Sequence, residues 1–168
     1  APFIANPKSA QQGYITSEPY AVIQEAGFEP NLFLIADFGF DTYSTTIEMM
    51  QPFIDENPEA VKCFVEGSIK GWYNFLYGDN AAAVELIQAD NPDMSDDKIE
   101  FAIETLKEYG IIDSGDTETL GIGAMTEERM NSFYAKMVEA GVIADGIDIS
   151  KSYTLDYVNA GLGMELKQ

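Results

Sequence analysis

The sequence predicts an α/β domain that is predominantly helical after about the first 50 residues. One observation is a short apolar run at 32–36 that is followed by a Thr- and Ile-rich segment at 43–50. Such short runs, bounded by Gly and Pro, are typical of β-strands. The other observation is a series of segments after Gln51 in which apolar residues recur every three or four positions. This spacing places them on one face of a helix.

The first elements lie before residue 50. Two short helical pieces are expected within 9–26, with a break at Glu18-Pro19 and with Gly27 as a left-handed cap. Strands are expected at 31–36 and at 43–50, where β-branched and apolar residues concentrate. These two strands would form the sheet component of the fold.

The helical part begins with the longest periodic segment, 52–77. Asn57-Pro58 supplies an N-cap and a proline in the first turn. Seven apolar residues recur at helical spacing and are expected to face the core. They are Val61, Phe64, Val65, Ile69, Trp72, Phe75 and Leu76. Because the aromatics follow this spacing, we interpret Trp72 mainly as a core residue rather than as part of an aromatic cage.

Three further helices and one loop follow. The helices are 81–89, a segment capped by Ser95, and a segment capped by Thr126 and closed by Gly141. The Gly- and Asp-rich stretch 111–124 is expected to be a surface loop, and 153–158 a short helix.

Charge restricts the partners of this protein. The 168 residues suit one domain with a real core, and they carry 29 acids against 9 bases, a formal charge of −20. Such a chain repels phosphate backbones and anionic lipids, so nucleic acid is not expected as a partner. No apolar run approaches the length of a membrane span.

The residue types that are missing restrict the chemistry. The sequence contains no His, which removes the usual general base and most zinc sites. The single Cys63 cannot form an internal disulfide, and its apolar neighbours predict an inert buried thiol. The sequence begins at Ala1 without a signal-peptide pattern and reads like the middle of a domain.

No familiar cofactor motif is present. Calcium-loop registers that start at Asp113 or Asp90 place Gly115 or Pro92 where an oxygen ligand is required. The pairs Gly121/Gly123 and Gly161/Gly163 lack the third glycine and the strand-to-helix setting of a dinucleotide loop. We therefore expect no metal, no cofactor and no catalytic residue.

Seven segments, taken in order, resemble one protein family. They are Gln11–Tyr14, Ser17–Tyr20, Ile35–Phe40, Tyr43–Thr46, Glu56–Val61 with Phe64, Lys70–Trp72, and Tyr153–Asn159. Together they resemble the C-terminal half of periplasmic solute-binding proteins of ABC importers. The group is the thiamine-precursor-synthesis-like one, which is related to nitrate and taurine receptors.

The resemblance implies a partial type II periplasmic-binding-protein fold, which is α/β, two-lobed and hinged. On this mapping residues 1–37 end the second lobe, and 38–168 form the hinge return strand and the helical part of the first lobe. It also implies a small-molecule solute, an ABC transporter permease as partner, a periplasmic location and truncation of a longer gene. A half receptor would expose apolar surface, so self-association as a dimer is expected.

The resemblance also implies the ligand-binding residues. They are Glu18, Tyr20, Asp37, Phe40, Tyr43 and Trp72, with Trp72 the weakest candidate. The carboxylates would accept hydrogen bonds and the aromatic rings would stack, so Glu18 and Asp37 should lie within about 15 Å of each other. The aromatic residues and the net acidity favour a neutral or cationic heterocycle over a small anion.

Two other functions remain open. Pyrimidine-precursor synthases share the implied fold but consume an active-site His, which this sequence lacks. A helical interaction module without a small ligand is the third hypothesis. The expectation is a binding protein and not an enzyme.

Overall fold

The computed structural model describes residues 2–167, which are 54% helical and contain no β-strand. Three short 3₁₀ helices lie at Ile35–Phe38, Ile149–Lys151 and Met164–Leu166. The α-helices within the described range are α1 (Pro2–Ala5), α2 (Glu18–Ala26), α3 (Gln51–Glu56), α4 (Pro58–Tyr77), α5 (Ala81–Asp90), α6 (Asp96–Glu108), α7 (Thr117–Leu120) and α8 (Glu127–Glu139).

The chain forms two compact units. Unit 1 contains the residues up to Phe33 together with Asp79–Ile112, and unit 2 contains Leu34–Gly78 together with the residues from Asp113 onward. The division at 37/38 that the resemblance implies stays a prediction. Its two end residues, Ala1 and Gln168, lie outside the described range.

Unit 1 is built from α1, α2, α5 and α6. Helix α2 has Pro19 in its first turn, and it ends at Gly27, which has a φ of 71° and donates its N–H to the Ile23 carbonyl. Helix α6 begins after Ser95, with Asp96 and Asp97 in the first turn, where the helix dipole favours negative charge. Val22 and Ile99 are the buried aliphatic residues of this unit.

Unit 2 is organised around α4. One stripe of this helix is buried and consists of Val61, Val65, Ile69, Tyr73 and Leu76, at spacings of three and four residues. Helix α4 contacts α3 and the C-terminal 3₁₀ helix. Ile122 and Ala124 add to the buried residues of the unit.

The predicted α/β fold, and with it the type II periplasmic-binding-protein architecture, is wrong for the described residues. Residues 35–38 form a 3₁₀ helix that ends at Gly39, and 43–50 has no regular structure. A strand requires a neighbour that pairs with its backbone, and the described chain offers none. Several apolar side chains of the two predicted strands are exposed, with Phe33 and Met50 at 77% and Ile35 at 62%.

Most of the predicted helices are confirmed, some with different bounds. Those at 81–89, after Ser95 and after Thr126 are confirmed as α5, α6 and α8, and Gly27 is a left-handed cap as expected. The segment 52–77 is split at Asn57 into α3 and α4. Turns replace the helix expected at 153–158, and the loop 111–124 contains the short α7.

Cys63 is exposed, so the prediction of a buried thiol was wrong. Cys63 is two positions from Val61 and from Val65, and two helical steps rotate a side chain by about 200°. Cys63 therefore lies on the face of α4 opposite the buried stripe, and burial does not limit its reactivity. None of the helices within residues 2–167 has both the length and the apolar content to cross a membrane.

Candidate functional site

Glu18 closes the turn that precedes α2. Its Oε2 accepts hydrogen bonds from the Tyr14 N–H at 2.7 Å and from the Ser17 hydroxyl at 2.5 Å. The hydrogen bond from Ser17 is the main reason that the pKa of Glu18 lies below its usual value. The carboxylate thus has a local structural role, as well as lining a cavity of about 100 Å³ in unit 1.

The rings of Tyr20 and Trp72 both have intramolecular partners. In unit 1, Tyr20 packs against Phe101 of α6, with 5.4 Å between ring centroids. In unit 2, Trp72 meets Phe75 edge to face, with 6.0 Å between centroids. Both contacts are typical of aromatic packing within a protein.

Asp37 and Phe40 are exposed at the start of unit 2. Asp37 belongs to the 3₁₀ helix Ile35–Phe38, and Phe40 donates its backbone N–H to the Ile35 carbonyl. Among the described residues, no hydrogen bond or ring contact joins either side chain to another predicted site residue. The expected proximity of Asp37 to Glu18 stays a prediction, because the two residues belong to different units.

Tyr43 is the predicted site residue that unit 2 holds most firmly. Its hydroxyl oxygen accepts a hydrogen bond from the Thr126 N–H at 2.8 Å, at the start of α8. The guanidinium carbon of Arg129 lies 4.6 Å from the centre of the Tyr43 ring, within cation–π range. Tyr43 is half-buried. We call Tyr43, Thr126 and Arg129, with Asp41 and Lys136, the Tyr43 cluster.

Arg129 and Lys136 of α8 both reach the chain just before Tyr43. The Arg129 Nε–H donates to the Asp41 carbonyl at 2.7 Å, and the Lys136 ammonium donates to the Asp41 carboxylate at 2.6 Å. This hydrogen bond from Lys136 is the main cause that lowers the pKa of Asp41. The cluster therefore fixes the Tyr43 ring beside the guanidinium group of the only Arg in the sequence.

Sequence reasoning missed Arg129, although a signal was available. Arg129 is the only Arg in a sequence with 29 acidic residues, which makes it unusual in this composition. Its partner Asp41 lies 88 residues away along the chain, so no local pattern could indicate the contact.

The two Gly-x-Gly pairs, which lack the pattern of a dinucleotide loop, pack together in unit 2. The Gly161 N–H donates to the Leu120 carbonyl at 2.9 Å, and a Cβ on Gly121 would lie only 3.1 Å from the Cα of Gly161. A cavity of about 90 Å³ lies next to this contact. We call it the glycine-pair cavity; it is lined by Glu66, Ile69, Leu120, Ile122, Tyr157, Val158, Asn159, Ala160 and Leu162.

Among the ion pairs within residues 2–167, Asp113 is the most deeply buried carboxylate, with a side chain that is 3% exposed. It accepts hydrogen bonds from the Tyr77 hydroxyl at 2.8 Å and the Thr117 hydroxyl at 2.7 Å. The Lys167 ammonium lies 2.8 Å away. Burial raises the pKa of Asp113, but the hydrogen bonds from Lys167, Thr117 and Tyr77 outweigh it and leave the pKa below its ordinary value.

We expect the Asp113→Asn variant to lose about 2 kcal/mol of unfolding free energy at neutral pH. Because the folded pKa of Asp113 is lowered, its contribution is fully present above the unfolded pKa of about 4. It is lost as the pH falls through the folded pKa. Urea unfolding at several pH values should therefore show a wild-type advantage at neutral pH that disappears in acid. Glu128→Gln, which removes an exposed charge from unit 2, is the control; an equal loss there would contradict this role for Asp113.

No group of three or more acidic or Cys side chains within residues 2–167 is arranged to hold a metal ion. Comparisons with protein-family models, curated proteins and solved structures found no match to this chain.

Proposed function

We propose that this chain is part of the solute-binding component of an ABC-type importer and binds a small organic solute without changing it covalently. The ordered resemblance of seven sequence segments supports this proposal. The expected solute is a neutral or cationic heterocycle. An ABC permease as partner and a periplasmic location follow from the same resemblance.

The structural observation that supports binding best is the fixed position of Tyr43. Thr126 holds its hydroxyl, and Arg129 covers its ring. Arg129 also donates to the nearby Asp41 carbonyl, and Lys136 donates to the Asp41 carboxylate. A binding protein gains affinity when its aromatic and polar groups are ordered before the ligand arrives. The Tyr43 cluster has this property, whereas Asp37 and Phe40 are exposed without such support.

The test is a thermal-shift screen of vitamin-precursor-like heterocycles, followed by calorimetry with the best solute. Tyr43→Ala should weaken binding about tenfold or more, the loss expected for an aromatic contact of about 1.5 kcal/mol. Tyr14→Ala, which removes an exposed ring from unit 1, should bind like the wild type. Equal affinity of the Tyr43→Ala and wild-type proteins would contradict a solute contact at Tyr43.

Exposed apolar side chains favour the helical interaction module as a second candidate function. Phe38, Ile47 and Met50 are large apolar residues of unit 2 with exposed side chains. Such residues form contact surfaces in proteins that associate. Solute binding distinguishes the candidates, because a half receptor is also expected to self-associate. An interaction module would self-associate through these residues in sedimentation analysis, would lose that association in the Ile47→Ser, Met50→Ser double variant, and would bind none of the heterocycles in the thermal-shift screen.

A further inference from the structure

The glycine-pair cavity is a concave site in unit 2 that the importer proposal does not use. None of the six predicted ligand contacts lines it. Its volume of about 90 Å³ is well below the ~300 Å³ or more of typical drug-sized ligand sites. It is also smaller than the ~150 Å³ apolar cavity that accepts benzene in an engineered protein. An occupant must therefore be smaller than a benzene ring.

Glu66 is the only residue with a formal charge among those that line the cavity. It takes part in no hydrogen bond or ion pair in the part of the chain that the structure describes. Lys62 and Lys70 lie one helical turn away on either side, yet neither forms an ion pair with it. Glu66 is thus a half-buried acid, and no basic residue lines the cavity beside it.

The walls of the cavity are held in place by long-range contacts. The side-chain amide of Asn159 accepts a hydrogen bond from the Met125 N–H at 3.0 Å and donates one to the Met125 carbonyl at 2.7 Å. Asn159 also adopts a φ of 66°, an uncommon conformation for a residue other than Gly. Together with the Gly161–Leu120 hydrogen bond, these contacts fix the wall that faces α4. The lining of the cavity is therefore ordered by contacts within the protein.

We propose that the glycine-pair cavity binds the ammonium group of a small primary amine, with Glu66 as its counter-ion. The aliphatic lining would contact a short alkyl group, while the carboxylate would pair with the charge. A hard metal cation fits poorly, since calcium requires six to eight oxygen ligands and the cavity offers one carboxylate among mostly apolar side chains. An anion would meet the unpaired charge of Glu66.

The strong net negative charge supports the same ligand class. A formal charge of −20 raises the concentration of cations near the surface. This general attraction is not selective, so the proposal depends on the cavity and on Glu66. It does not rest on the importer proposal, because no residue of the Tyr43 cluster lines the cavity.

The test is a backbone-amide NMR titration of the whole chain with ethylammonium chloride. Sodium chloride at equal ionic strength, ethanol and sodium acetate are the matched probes. We expect saturable shifts at Leu120, Ile122 and Asn159 with ethylammonium alone. Glu66→Gln should raise the apparent dissociation constant about tenfold or more, the loss expected for a hydrogen bond to a charged group.

Glu59→Gln is the matched control, because Glu59 is an exposed acid in the first turn of the same helix. It should bind ethylammonium like the wild type, and the spectrum of each variant shows directly whether it is folded. Equal shifts with ethanol would mean that the cavity accepts small molecules regardless of charge. Equal shifts with sodium chloride would mean a generic ionic effect. Either result, an unchanged dissociation constant in Glu66→Gln, or no saturable shift at all would overturn the proposal.

Discussion

Replacing Tyr73 with Ala is expected to lower the free energy of unfolding by about 3–5 kcal/mol, a large part of the stability of an ordinary domain. Tyr73 is 1% exposed and is the largest fully buried side chain among the described residues. Its removal would leave a cavity beside α4. The hydroxyl oxygen also accepts a hydrogen bond from the buried Ile122 N–H at 3.1 Å. Tyr73→Phe should therefore cost about 1–3 kcal/mol, because this N–H would lose its partner.

Urea unfolding followed by tryptophan fluorescence measures both variants. The only Trp in the sequence, Trp72, lies in unit 2, so the signal reports on the unit that contains Tyr73. Phe64→Ala is the control, because Phe64 is on the same helix and is 57% exposed. It should change stability by no more than about 0.5 kcal/mol. Equal losses for Tyr73→Ala and Phe64→Ala would show that the buried stripe of α4 is misassigned.

Gly163→Ala is expected to lower the free energy of unfolding by about 2–5 kcal/mol. Gly163 has a φ of 82°, which an L-residue adopts only with strain. A Cβ at this position would also lie 2.7 Å from Cδ2 of the Tyr73 ring. That ring cannot move aside, since it is the most buried side chain of the unit. The substitution combines backbone strain with overpacking.

Gly141→Ala separates these two causes. Gly141 has a φ of 71°, but a Cβ there would meet no atom within 4 Å. It should cost only about 1–2 kcal/mol, from strain alone. In a Tyr73→Ala background, Gly163→Ala should fall to a similar cost, because the clashing ring is gone. Equal costs for Gly163→Ala and Gly141→Ala in the wild-type background would contradict the close contact with Tyr73.

The helices could be predicted because their signals are local. The spacing of Val61, Val65 and Ile69 along α4 identifies a buried stripe without any knowledge of its partner. Thr126 was recognised as a cap from its place before an amphipathic segment, and its hydroxyl does accept a hydrogen bond from the Arg129 N–H. The break at Asn57 follows from Pro58, since the residue before a proline is disfavoured in the helical conformation.

The strands could not be predicted in the same way. A short apolar run such as 32–36 has no periodicity that distinguishes a strand from a buried helix segment. Whether it becomes a strand depends on a partner far away in the sequence, and no such partner exists within residues 2–167. The prediction of a strand at 43–50 depends on the β-propensity of its residues, and β-propensity varies strongly with tertiary context.

Only some of the site residues could be predicted from the sequence. Tyr43 was chosen from the resemblance, and the structure shows how its ring and hydroxyl are held. The role of Arg129 depends on contacts that span more than 80 residues, so no local motif indicates it. No local pattern pointed to Glu66, because the other walls of the cavity beside it come from residues around Leu120 and Asn159, far away in the sequence.

Ultrafiltration of the protein with a mixture of heterocycles, followed by mass spectrometry of the retained compounds, tests the importer proposal most directly. We expect one neutral or cationic heterocycle to be retained, chemically unchanged and in no more than a one-to-one ratio. The Tyr43→Ala protein should not retain it. Steady conversion of a compound over many turnovers, abolished by one substitution, would contradict the proposal, and so would equal retention by the Tyr43→Ala protein.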